Sequence, residues 1–269
     1  MIDQSSFRNA ESLIRFGTEK LSSISNVPRL EAEVLLSDLL KINPIKFHTD
    51  DIGISPNVMD KFESMIESRF RGMPIAYLTG KKEFWSLNFE INPSVLVPRP
   101  ETELLIENAI ELLKYRESPR ILELGTGSGV ISIVLHKELV SPEITAIDIS
   151  SEALNVAENN AHKYQITDIN FLVSDWFREI KDEKYDLIIS NPPYVDKENL
   201  SNEELFIIDM EPDIALYSES DGTSDLEFII RNSSMFLEHG GWLMLEHAYD
   251  QSDYCMKEMK KAGYSEIKK

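Results

Sequence analysis

Ahead of Arg71, apolar side chains recur at helical spacing in three stretches. The first follows Ser5/Ser6 and carries Leu13, Ile14, Phe16 and Leu21. The second opens at Pro28, acceptable in a first turn, and carries Leu30, Val34, Leu35 and Leu39. The third opens at Ser55-Pro56 and places Val58, Met59, Phe62, Met65, Ile66 and Phe70 along one face. This pattern predicts a small helical bundle over residues 1–72. A change of period follows. From Glu83 to Ile91 the chain alternates Trp85, Leu87, Phe89 and Ile91 against the residues between, which is a strand period. Asn92-Pro93-Ser94 reads as a turn and Val95-Leu96-Val97 as the returning arm, so residues 73–98 are expected to be a connector with a β-hairpin. Pro98-Arg99-Pro100-Glu101-Thr102-Glu103 is a stiff lead into an amphipathic helix from Leu104 to Leu113.

From Arg120 strands and helices alternate. Strands are predicted at 121–125, 144–148, 170–175, 185–190 and 241–247, with helices at 130–135, 151–163, 222–237 and 250–262. The strands are short, nearly continuous apolar runs, as in a parallel sheet covered on both faces. Residues 99–269 are therefore expected to form an α/β domain with a mostly parallel twisted sheet, helices on both faces, and ligands at the carboxyl ends of the strands.

Each of four strand ends carries candidate chemistry. Gly125-Thr126-Gly127-Ser128-Gly129 removes side chains where a ligand must approach backbone at a helix N-terminus. Val130 stands where the dinucleotide fingerprint wants its third glycine, which makes a nicotinamide enzyme a poorer match. Asp148 ends the next strand, where an ionised carboxylate can accept from both hydroxyls of a ribose or else cap the following helix. Asp175-Trp176 offers a carboxylate for an exocyclic amino group and an indole that can stack on a purine. The fourth strand, Leu187-Ile188-Ile189, ends in Asn191-Pro192-Pro193-Tyr194. Two prolines hold the chain extended and stiff. The Asn191 amide oxygen and the Pro192 carbonyl are then two acceptors for a planar –NH2, with the Tyr194 ring beside them.

Charge and cysteine content narrow the classes. Lys plus Arg is 27 against 47 for Asp plus Glu, a net charge of −20. Counterion release needs clustered cations, so direct nucleic-acid binding is disfavoured, with Arg69/Arg71 and Lys81/Lys82 the only small basic candidates. The single cysteine, Cys255, excludes a disulfide framework, and five scattered histidines make metal chemistry unexpected. No long apolar run or signal-like N-terminus is present, and a cytoplasmic protein without membrane contact is expected.

Pro74-Ile-Ala-Tyr-Leu-Thr-Gly-Lys-Lys-Glu-Phe-Trp85, Val97-Pro-Arg-Pro-Glu-Thr-Glu103, Leu122-Glu-Leu-Gly-Thr-Gly-Ser-Gly129 and Asn191-Pro-Pro-Tyr194 together resemble the release-factor glutamine N5-methyltransferase (HemK-type) family. Glu211-Pro-Asp-Ile-Ala-Leu216, Asp221-Gly222 and Leu245-Glu-His247 fit as well. The resemblance covers nearly the whole chain. It implies a Rossmann-like Class I methyltransferase domain using S-adenosylmethionine, and methyl transfer to the glutamine nitrogen of the Gly-Gly-Gln motif in peptide-chain release factors. It implies that Asn191, Pro192, Pro193 and Tyr194 carry the chemistry and that Arg99, Pro100 and Glu101 position the substrate. The cofactor residues it implies are Gly125, Thr126, Gly127, Ser128, Gly129, Asp148, Asp175, Trp176 and Asn191. Two departures stand out: the family's strand hairpin after the last helix has no counterpart before Lys269, so an incomplete sheet edge is expected, and Ala248-Tyr249 replace a usual Gly-Trp. Amino methylation of a nucleobase is the rival reaction, since the same two acceptors fit an exocyclic –NH2. A non-catalytic nucleotide-sensing adaptor is the rival outside enzymes.

Overall fold

Leu187, Ile188 and Ile189 lie fully buried on an inner strand of a five-stranded parallel sheet. The computed structural model describes residues 9–181 and 183–269. The strands are β3 (Arg120–Leu124), β4 (Glu143–Asp148), β5 (Asn170–Val173), β6 (Tyr185–Ser190) and β7 (Leu237–Leu245), in the order β5-β4-β3-β6-β7. Strand order reverses between β3 and β6, so the carboxyl ends of these two flank the crevice where open α/β sheets take their ligands. On one face, helices α5 (Thr102–Leu113), α6 (Val130–Glu138) and α7 (Ser151–Lys163) pack in succession. Helix α8 (Ser224–Ser233) packs on β7 and on α9 (Ser252–Lys261), and its Ile229 joins Leu122, Leu124 and Ile188 in one core cluster. Helix α8 ends at Ser233, and Leu237, expected to close a helix, opens β7 instead. A bulge between Tyr185 and Leu187 sets the register there, and a Cβ on Gly241 would stand 2.9 Å from the Tyr185 carbonyl oxygen.

The chain divides into two compact units, one running to Gly80 with Phe206–Met210 added, the other Lys81–Leu205 with Glu211–Lys269. The division falls inside the stretch 73–98 read as a connector. In the first unit, α1 (Ala10–Leu21), α2 (Pro28–Leu40) and α3 (Pro56–Phe70) bury Leu13, Ile14, Leu35, Leu36, Phe62 and Ile66. The start signal at Ser5/Ser6 lies outside the described residues; Asn9 caps α1 by accepting from the Ser12 N–H. Leu30 faces solvent, because α2 turns Ala32, Leu35 and Leu36 inward. Pro74–Gly80 holds a short helix, α4 (Ile75–Thr79).

The hairpin differs from its sequence reading. Its arms are β1 (Lys81–Phe84) and β2 (Leu87–Glu90), turned at Trp85-Ser86, and Val95–Val97 forms no strand. Trp85 and Ser86 both have positive φ, 52° and 58°, as a tight two-residue turn requires. Two carboxylates hold this turn: Glu83 accepts from the Ser86 N–H (2.7 Å) and Glu103 from the Trp85 N–H (2.9 Å). The Val97 N–H is claimed by Glu211 (2.9 Å) rather than by a strand.

Candidate active site

The carboxyl ends of β3, β4, β5 and β6 surround a cavity of about 300 Å³ within the second unit. The glycine loop forms one wall. Gly125, Gly127 and Gly129 have φ of 71°, 54° and 80°. At Gly129 the reason is packing, since a Cβ would stand 3.0 Å from the Cβ of Ala157 on α7. At Gly127 a Cβ would meet nothing within 4 Å, so the absence of a side chain leaves cavity space open beside the backbone. Asn160, fully buried on α7, donates to the Ser128 carbonyl (2.9 Å) and exchanges hydrogen bonds with the backbone of Glu90. It thereby fastens the hairpin to the loop.

Asp148 lines the cavity and accepts from the Gly127 N–H with one oxygen and the Ser150 N–H with the other, both at 2.9 Å. Burial raises its pKa. The cap of α7 is Ser150, whose hydroxyl accepts from the Ala153 N–H, so Asp148 keeps its remaining lone pairs for a ligand. Glu123, one residue before the end of β3, also lines the cavity although only 1% exposed. Its Oε2 accepts from the Thr126 hydroxyl (2.8 Å), the Ser132 N–H (3.1 Å) and the Ser132 hydroxyl. Burial outweighs these bonds and pushes its pKa up to about 7. Trp176 sits at positive φ, 47°, a conformation that is costly for a bulky residue. The Ser174 hydroxyl donates to its carbonyl (2.6 Å) and secures the turn, leaving the Trp176 ring and exposed Asp175 at the cavity wall.

The Asn191 ledge forms the opposite side. Asn191 and Pro193 line the cavity, Pro192 is buried, and among the described residues no donor reaches the Pro192 carbonyl. The Asn191 Nδ2 donates to the Thr102 hydroxyl (3.2 Å), which donates to Glu246 Oε2 (2.8 Å). The Tyr194 hydroxyl donates to Glu246 Oε1 (3.1 Å). Burial raises the pKa of both Glu246 and Tyr194, and the phenol stays protonated. Gln251, on the turn before α9, donates to the Tyr194 carbonyl (3.0 Å) and the Gly222 carbonyl (3.1 Å). Gly222 is required there, since a Cβ would fall 2.3 Å from the Tyr194 oxygen.

Arg99, Pro100 and Glu101 do not line the cavity. Arg99 pairs with Glu211, a buried carboxylate that also holds the Val97 N–H, and so braces the segment leading to Thr102. Sequence reasoning assigned no role to Thr102, Glu123 or Glu246. Glu123 had a signal, an acid inside the apolar run Leu122–Leu124; the other two are separated by 144 positions. Among the described residues no group of His, Cys, Asp and Glu is placed to hold a metal ion, and no helix is long and apolar enough to cross a membrane.

Residues 12–80 match the PrmC N-terminal domain and residues 100–208 the methyltransferase small domain. The release factor glutamine methyltransferase of Coxiella burnetii is 39% identical over 251 residues, covering 93% of this chain and 90% of that protein. That of Shewanella oneidensis is 33% identical over 270 residues, covering 99% and 92%. The chain belongs to the release factor glutamine methyltransferase family. A methyltransferase from Pyrococcus furiosus, 18% identical, shares the fold with a TM-score of 0.51 over 76% of this chain and 87% of its own. The protein is an S-adenosylmethionine-dependent methyltransferase with the Rossmann-like fold of its family. The residues present fit that methyl donor: an open glycine cradle at Gly127, an indole at Trp176, free lone pairs on Asp148, and carboxylates rather than cations around a space that must receive a sulfonium.

Proposed function

We propose that this chain transfers the methyl group of S-adenosylmethionine to the side-chain amide nitrogen (N5) of the glutamine in the Gly-Gly-Gln motif of peptide-chain release factors, in the cytoplasm. The observation that carries this reading is the carboxamide of Asn191. Its nitrogen is turned to Thr102, so its oxygen stands with the unclaimed Pro192 carbonyl as a pair of acceptors. S-adenosylmethionine, when bound, supplies an electrophilic methyl on sulfur. The glycine loop 125–129, Asp148, Asp175 and Trp176 hold the donor, and Asn191 faces both donor and acceptor groups.

An amide nitrogen is a poor nucleophile because its lone pair is delocalised into the carbonyl. Asn191 Oδ1 and the Pro192 carbonyl accept its two N–H bonds, aim it, and stabilise the positive charge that grows on it during transfer. Fixing the nitrogen in line supplies several of the kcal/mol required, up to roughly 7–11 in ideal cases. The proton leaves after transfer, so no strong base is needed. Pro193 shapes the wall and Tyr194 packs at the flat amide, its hydroxyl held by Glu246. Arg99, Pro100 and Glu101 position substrate at one remove, by bracing the segment that carries Thr102.

Incubation of a purified release factor, duplex DNA and ribosomal RNA with isotopically labelled donor tests this reading. Tandem mass spectrometry is expected to find one methyl on the Gly-Gly-Gln glutamine. Label on nucleic acid with none on that glutamine overturns it in favour of nucleobase methylation.

A further inference from the structure

We propose that Glu246, acting through the Thr102 hydroxyl, is the positioning residue that decides which end of the Asn191 carboxamide faces the cavity. The inference rests on the reading above, in which Asn191 must accept from the substrate nitrogen. A hydroxyl has one proton to give. Thr102 gives it to Glu246 Oε2 at 2.8 Å and can therefore only accept from Asn191, whose Nδ2 lies 3.2 Å away. The carboxamide nitrogen is thus committed to Thr102, with a weaker direct contact to Glu246 itself, and the oxygen is left for the cavity. Without an acceptor at Glu246 the Thr102 proton is free to go to Asn191 Oδ1. The carboxamide then rotates by half a turn and presents –NH2 to a substrate –NH2, donor against donor.

Glu246 is held for this task. Its N–H donates to the Ser190 carbonyl (3.0 Å), continuing the β6–β7 pairing to the last residue before Asn191. Its second oxygen is occupied by the Tyr194 hydroxyl at 3.1 Å. The groups that face it are Thr102 and Glu101 from the start of α5 and Asn191 and Tyr194 from the ledge after β6. Burial, with the like charge of Glu101 adding to it, makes Glu246 easier to protonate than an ordinary carboxyl. Protonation turns an acceptor into a donor. The ionised form is the competent one, and turnover falls as pH drops through the raised pKa.

The test uses the full-length protein and two readouts. In side-chain amide NMR without substrate or donor, the Asn191 –NH2 pair is assigned by its disappearance in Asn191→Ala. On acidification it is expected to shift in one step. Thr102→Val should move the pair at all pH values and shrink the step; Thr102→Ser should restore both. In steady-state methylation, Thr102→Val is expected to lower kcat on the order of 100-fold, with KM and donor affinity within about threefold. Glu246→Gln still offers an oxygen to Thr102, so it should keep more activity than Thr102→Val but lose the acid limb of the kcat profile. An Asn191 pair indifferent to Thr102→Val and to Glu246→Gln overturns the proposal. So does a Thr102→Val protein that binds donor normally and turns over like wild type. A wild-type enzyme that labels no glutamine sinks the substrate reading alone, because the amide spectra still decide the role of Glu246.

Discussion

Replacing Glu123 by Gln is expected to stabilise the second unit above neutral pH and to destabilise it slightly in mild acid. The unfolded carboxyl loses its proton near 4.5, whereas burial holds the native one until about 7. Between those values the native state binds more protons than the unfolded chain, so stability falls as pH rises through the window. At 1.36 kcal/mol per pH unit the full loss is about 3 kcal/mol. A glutamine oxygen can accept the same bonds from Thr126 and Ser132 without carrying the charge. Its new –NH2 needs a partner and returns about 1 kcal/mol of the gain. The net expectation is a loss of about 1 kcal/mol near pH 4 and a gain of about 2 kcal/mol near pH 8. Trp85, Trp176 and Trp242, the three tryptophans of the chain, all lie in the unit that contains Glu123. Denaturant unfolding followed by intrinsic fluorescence therefore reports on that unit, apart from the helical bundle. A stability difference that stays constant from about pH 4 to 8 would refute the burial argument.

Asp148→Ala removes the acceptor of two backbone N–H groups as well as the lone pairs offered to a ribose, and is expected to weaken donor binding tenfold or more by calorimetry. Trp176→Ala should weaken it too, with adenosine alone competing in the wild type. Asn191→Ala should cut kcat by about 100-fold or more while donor affinity changes only a few-fold; equal losses in both would remove Asn191 from the chemistry. Gly129→Ala combines positive φ with a Cβ 3.0 Å from that of Ala157, and should cost about 2–4 kcal/mol by thermal unfolding.

The sheet was legible because each strand is a short apolar run bounded by turn residues, and its ligand ends follow from the alternation of strands and helices. The hairpin was not, because Trp85-Ser86 carries neither glycine nor asparagine. Its left-handed turn is sustained by Glu83 and Glu103, and Glu103 belongs to α5. Val95–Val97 has strand-like composition, but its backbone is claimed by Glu211, more than a hundred positions away. The site divides in the same way. Gly125–Gly129, Asp148, Trp176 and Asn191 announce themselves by residue type at strand ends. Thr102 and Glu246 acquire their meaning from a meeting that only the tertiary fold creates. Arg99, expected to position the substrate, pairs with Glu211, a partner more than a hundred positions away that its sequence context does not indicate.

Glu123, Asp148 and Glu246 stand at or beside strand ends, and burial raises the pKa of each. Such carboxyls cost stability when ionised, yet each ties neighbouring pieces together at the sheet: the glycine loop to α6, the same loop to β4, and the start of α5 to the Asn191 ledge. A ligand that carries net positive charge offsets the cost of the two that line the cavity, Glu123 and Asp148. S-adenosylmethionine is such a ligand at neutral pH, with a sulfonium and an ammonium against one carboxylate. Its field favours the ionised form, so the pKa of Glu123, at about 7 in the free protein, must fall on binding. Near pH 7 the free protein is about half protonated at this group, and binding therefore expels a fraction of a proton to buffer. Calorimetry in buffers of different ionisation enthalpy reads that number directly. Release should peak below pH 7, between the free and bound pKa values, vanish well above it, and be lost in Glu123→Gln. Binding enthalpies independent of buffer at pH 7 would mean that the cation does not feel Glu123, and that this carboxyl serves the loop alone.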